Sequence, residues 1–199
     1  MRTVSILLML LCGAATAFGK DKPPVVHRIA LPTRPNFSEL DWLTGEWAGK
    51  TSEKSPAGEI SLSVSFDLDK RYLIFRGEEK LAATPSLPEY KESWLGVLTQ
   101  DLAGEGFILR VFSDSGFMTR YRATVVAGTI TFNQEGGEQP PPGWLFRRVL
   151  QRTDVGELLV TLQAAPPQKS FFDYYSAKLS HAAPSAAPPA PPVAKPATE

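Results

Sequence analysis

The chain has 199 residues, 43% of them hydrophobic and 21% charged, which suits one globular domain with additional segments at its ends. Lysine plus arginine and aspartate plus glutamate each total 21, so no net field draws the protein toward nucleic acid or an anionic membrane. The single cysteine, Cys12, leaves no disulfide framework or thiolate metal site, and no glycine-rich nucleotide motif is present.

Met1-Arg2 is followed by the apolar run VSILLMLLCGAA and by Ala15-Thr16-Ala17. A short positive region, an apolar stretch below the roughly 20 residues a bilayer needs, and an A-x-A site predict a signal peptide over 1–17, cleaved before Phe18. Leu11 before Cys12 departs from a lipobox. The expected location is secreted or periplasmic, without a transmembrane anchor. A chain without disulfides suits bacterial export; in a eukaryote the sequon Asn36-Phe37-Ser38 would matter instead. Residues 18–35, with Pro23, Pro24, Pro32 and Pro35, read as a Pro-rich lead-in.

Phe37, Leu40, Trp42 and Leu43 then fall at roughly helical spacing, with Ser38 as the expected N-cap and Gly45 as the expected end of the turn. Trp47 follows between Gly45 and Gly49. In EISLSVSFD, residues 59–67, Ile60, Leu62, Val64 and Phe66 share one face and polar residues the other, the pattern of a half-buried antiparallel strand. Further β-rich runs start at Arg71, Tyr90, Gly106 and Phe117, and continue through TITFNQ, WLFRRVLQR, ELLVTLQ and FFDYYSAKLS. Turn residues separate most of them, at Asp69-Lys70, 101–106, 114–116, 127–128, 136–143, 154–156 and 166–167. With the segment around Trp47 this predicts about ten strands over a folded unit of 36–181. Residues 182–199 are almost entirely Ala and Pro, the composition of an extended solvated tail.

Ten short strands in meander order leave two unpaired edges unless the sheet closes, so the expected fold is all-β, an antiparallel up-and-down barrel with the N-terminal turn covering one end. A β-sandwich is the alternative that spacing alone does not separate. The motif Trp42-Leu43-x-Gly45-x-Trp47-x-Gly49, the following alternating strand, Trp94-x-Gly96 and Ser113-Asp114-Ser115-Gly116 resemble the calycin-like barrels. These include lipocalins, fatty-acid-binding proteins, nitrobindin-like domains and an exported bacterial family of unknown function with a W-L-x-G-x-W-x-G opening. The resemblance covers most of 36–181 and implies a barrel in which Trp42, Gly45, Trp47 and Gly49 are structural. It says little about a ligand.

Catalytic groupings are scarce. The two histidines, His27 and His181, lie in the lead-in and at the end of the last strand, so no catalytic residues and no metal site are expected. Nitrobindin-like domains bind haem through a histidine, and that role would fall to His181. Its place before Ala182-Ala183-Pro184 is that of an exposed terminal histidine, and no cofactor is expected. Glu78, Glu79, Glu89 and Glu92 read as a solvated acidic stretch. Of the strand arginines 110, 120, 122, 147, 148 and 152, most are expected outside with their stems over apolar surface. Parity joins Arg148 to Trp144, Phe146 and Leu150, and Arg147 to Leu145 and Val149, without saying which face is inside.

Fatty-acid-binding barrels hold a carboxylate with inward Arg and Tyr. The resemblance makes Arg120, Tyr121, Arg122 and Arg148 the candidate ligand-binding residues, without matching that family's spacing; Arg148 is preferred for its more apolar face. Arg120 and Arg122 share one parity and Tyr121 the other, so a regular strand does not turn all three inward. The expected function is an exported barrel that binds a small hydrophobic or amphipathic molecule bearing an acidic group. The alternatives are a structural or envelope-interaction barrel with a filled interior, and a pocket enzyme. A cavity of about 300 Å³ would favour binding over a filled interior.

Overall fold

Period-two alternation carries the chain through ten strands: β1 (Gly45–Thr51), β2 (Gly58–Asp67), β3 (Tyr72–Leu81), β4 (Tyr90–Gln100), β5 (Phe107–Ser113), β6 (Met118–Val126), β7 (Thr129–Gly137), β8 (Leu145–Arg152), β9 (Leu158–Ala165) and β10 (Phe172–His181). This computed structural model describes residues 33–85, 88–102, 106–137 and 142–182. The expected signal peptide, most of the lead-in and the Ala/Pro-rich tail lie outside the described residues. Each strand pairs antiparallel with the next and β1 pairs with β10, so the sheet is a closed up-and-down barrel and not a sandwich. Closure satisfies the two edges that a ten-strand meander would otherwise expose.

At the seam, Trp47 lies opposite His181 and Gly49 opposite Leu179. A Cβ on Gly49 would come within 1.9 Å of the Lys178 carbonyl oxygen, so this close approach of two backbones needs glycine. The inward faces are apolar over most of the barrel, with Leu62, Phe75, Leu98, Ile130, Val160 and Ala177 among the buried side chains.

One end is plugged. A 3₁₀ helix, Ser38–Leu43, crosses it and buries Leu40 and Leu43. Phe37 stacks on Phe107 at 5.1 Å between centroids and meets Phe66 at 5.9 Å. Trp47 lies buried beneath, its Nε1 donating to the Leu43 carbonyl at 2.8 Å. Trp42 is half-buried and packs against the same core. Ser38 is not the N-cap. Phe37 holds that position without a side-chain bond, and the Ser38 N–H is met by Asn36 Oδ1 at 3.0 Å. Burying a phenylalanine contributes about 1.5–3 kcal/mol against roughly 1 for a capping hydroxyl, which explains why the core anchor sets the helix start. Gly45 does not end the helix either: Thr44 does, its N–H and hydroxyl both donating to the Asp41 carbonyl, and Gly45 opens β1.

His181 is exposed, as expected of a terminal histidine, but is held as the last residue of β10 with its ring 3.7 Å from that of Trp47. Among the described residues no helix is long and apolar enough to cross a membrane.

Trp47 thus joins helix, seam and core. Trp47→Ala is expected to lower stability by about 3–5 kcal/mol, the usual cost of removing a buried aromatic. A denaturant titration checks it, and an unchanged midpoint would remove Trp47 from the core.

Candidate functional site

Alternation in β8 puts Phe146, Arg148 and Leu150 on one face, and that face is the interior, where all three are buried. A guanidinium among apolar side chains requires a counter-charge. Strand β3 supplies it. Leu73, Phe75, Gly77, Glu79 and Leu81 share the inward parity, and Glu79, only 1% exposed, brings Oε1 to 2.5 Å from Arg148 Nη1. Glu92, paired with Glu79 across β3 and β4, stands 3.8 Å from Nη2. The acidic stretch therefore does not form a solvated surface as a whole. Glu78 and Glu89 are exposed, whereas the alternation of β3 and β4 turns Glu79 and Glu92 toward the guanidinium.

Trp94 completes the arrangement. Its Nε1 donates to the same Glu79 Oε1 at 3.0 Å, and the Arg148 guanidinium lies 4.8 Å from the indole centroid, within cation–π range. The indole reaches this place because Gly77 stands opposite it: a Cβ on Gly77 would be 2.2 Å from the ring.

Burial disfavours the Arg148 charge, but the facing carboxylates, Glu79 first and then Glu92, outweigh it and hold its pKa well above the usual value. Burial likewise pushes the Glu92 carboxyl up, against the opposing pull of Arg148 and of the Tyr90 hydroxyl; Glu79 and Asp114 add to the rise. The phenols of Tyr90, Tyr121 and Tyr175 are raised, chiefly by burial, and stay neutral donors. The Tyr175 hydroxyl is near enough to Glu79 to feel its charge, yet it is not in hydrogen-bonding geometry, and Glu79 Oε2 and Arg148 Nε are also buried without partners.

These groups face the unplugged end. A cleft of about 250 Å³ opens there, lined by Tyr90, Glu92, Val111, Phe117, Tyr121 and Arg148 among others. Behind Arg148 the interior narrows to a void of about 20 Å³, roughly the room one water needs. Larger grooves lie on the outer wall, where the Arg122 pKa is raised by its bonds to Asp101 and Glu135, but the buried shifted groups Arg148, Glu92, Tyr90 and Tyr121 converge on the mouth.

Of the four residues singled out in the sequence, the structure brings Arg148 and Tyr121 together inside. Arg120 and Arg122 lie on the outer face, where Arg120 Nη2 is 3.5 Å from Glu135 and Arg122 pairs with Glu135 and, at 2.7 Å, with Asp101. They project away from the cleft because they alternate with Thr119 and Tyr121, both buried. Arg147 is also outside, its guanidinium over the Phe171 ring.

A scan against protein-family models found no match, and a search of curated proteins found none. Among solved structures, the chain is similar to Rv2717c from M. tuberculosis, with 18% identity, a TM-score of 0.51, and coverage of 74% of this chain and 97% of that one. At that identity the likeness concerns the fold.

Because the Glu92 carboxyl is raised in the folded state, the folded protein holds that proton more tightly than the unfolded chain. Its contribution to stability is full in acid and is lost as pH rises through the folded pKa. Glu92→Gln, which keeps the shape without the charge, is therefore expected to stabilise the protein at neutral pH, with the gain shrinking as pH falls. Unfolding titrations of both proteins from neutral to acid check this, and a gain that grows in acid would contradict it.

Proposed function

We propose that the protein is an exported, calycin-like binding barrel that takes a small amphipathic molecule at its open mouth, not in an enclosed cavity. The observation that carries this reading is the convergence of Arg148, Glu92, Tyr90 and Tyr121 on a cleft of about 250 Å³ whose wall is apolar at Val111 and Phe117 and hydroxylic at Ser113, Ser115 and Thr119, while the 3₁₀ helix plugs the other end. Apolar and aromatic surface with convergent polar groups is the usual make-up of a small-molecule site; at about 250 Å³ the cleft is below the roughly 300 Å³ expected of an enclosing cavity and suits a small molecule held at the mouth. Support for the calycin-like assignment comes from the closed ten-strand meander, the Trp47 motif at the plugged end and the fold likeness to the mycobacterial protein. Export rests on the sequence of residues 1–17.

A filled barrel with an interaction role is the second reading, favoured by the void of about 20 Å³ at the centre. The two differ at the mouth. Native mass spectrometry of protein purified from its producing organism is expected to show a retained small molecule, lost when the exposed rim residue Ser115 is changed to Trp. Bare chain that also fails to bind the neutral amphiphile octanol would favour the filled barrel.

A further inference from the structure

We infer that the polar end of the cleft's ligand is a cationic nitrogen, an alkylammonium group received by Glu92 among the aromatic side chains of the mouth. The inference rests on the mouth-binding reading and reverses the charge expected of the ligand from the arginines alone.

An inward arginine attracts an acidic ligand when its charge is unmet. Arg148 is already met from within the chain, by Glu79 at 2.5 Å on Nη1 and by Glu92 at 3.8 Å on Nη2. Its single positive charge therefore already faces two carboxylates of the chain, and the Nε that remains unpaired is buried. A ligand carboxylate here would be a third carboxylate on one guanidinium, beside Glu92 and Glu79, the latter also accepting from Trp94.

The remaining charge at the mouth is negative. Glu92 faces Glu79 from β3, Tyr90 from its own strand, Asp114 from the turn after β5, Tyr121 from β6 and Arg148 from β8; Tyr175 of β10 faces Glu79. The phenols are neutral, so one guanidinium stands against three carboxylates. Two of these, Glu79 and Glu92, lie directly opposite each other in the sheet, a placement that repels. A ligand cation at Glu92 relieves that repulsion, and a ligand anion adds to it.

The walls suit the same chemistry. Tyr90, Tyr121 and Phe117 line the cleft with Val111, and aromatic rings attract a desolvated ammonium while apolar surface takes its alkyl body. Binding an ammonium favours the ionised form of Glu92, so affinity should rise with pH through the titration of that carboxyl and protons should be released on binding.

Calorimetric titrations of the mature protein with octylammonium, octanoate and octanol compare three heads on one tail. The expected order places octylammonium about tenfold or more ahead of octanoate, with most of that advantage lost in Glu92→Gln while octanol binding is kept. Asp114→Asn, on the exposed turn, should weaken octylammonium less but in the same direction, and serves if Glu92→Gln does not fold. Octanoate binding as well as or better than octylammonium, or octylammonium indifferent to both substitutions, would overturn the cation while leaving a mouth-binding barrel. Binding of none of the three would overturn both.

Discussion

A guanidinium held between two carboxylates inside an apolar barrel is the constraint on which the open half of this molecule depends. Removing such ions from water costs several kcal/mol each, and only close geometry offsets it. The barrel meets that requirement with contacts from three strands. Arg148 comes from β8, Glu79 from β3, and Glu92 and Trp94 from β4, which fixes the rotation of these strands about the axis. Gly77 belongs to the same unit, since the indole that bonds Glu79 occupies the space a side chain there would take. The consequence for function is a filled centre. Polar side chains that reach across the barrel leave a void of about 20 Å³, and the accessible space moves to the mouth.

The other half is built on a different principle. Between the 3₁₀ helix and the core the contacts among the described residues are mostly apolar, and a buried polar bond, from Trp47 to Leu43, ties the helix to β1. Trp47 also touches the last residue of β10 through His181, so plug and seam share a single side chain. The plugged end is thus held by apolar packing, while buried charged and hydroxyl groups gather toward the other. Buried polar atoms without partners occur in both halves, Trp42 Nε1 and Gln100 Oε1 near the plug and Glu79 Oε2, Arg148 Nε and the Tyr175 hydroxyl on the side of the mouth.

Much of the fold was legible because period two is a local property. The alternation of Ile60, Leu62, Val64 and Phe66 marks β2 without knowledge of any neighbour, and counting such runs gives ten strands. The helical spacing of Leu40 and Leu43 was equally plain, although a competition between capping and aromatic burial moved the helix start from where Ser38 would place it. Arg148 stood out through its apolar neighbours Phe146 and Leu150. Its partner did not, because Glu79 lies 69 residues away along the chain and their meeting depends on closure of the whole sheet. A signal was nonetheless present: Glu79 continues the parity of Leu73, Phe75 and Gly77, but the adjacent Glu78 made the pair resemble a solvated surface. Reading each charged residue by the parity of its own strand would have separated the two.

A double-mutant cycle on Arg148→Met and Glu79→Leu, followed by denaturant unfolding at neutral pH, tests the central claim that these side chains form one buried, mutually dependent unit. Arg148→Met leaves Glu79 buried without a counter-charge, at an expected cost of about 3–5 kcal/mol, and Glu79→Leu leaves the guanidinium only the more distant Glu92, whereas removing both should cost far less than the sum. Additive losses in the double variant would contradict a coupled pair at the centre of the barrel.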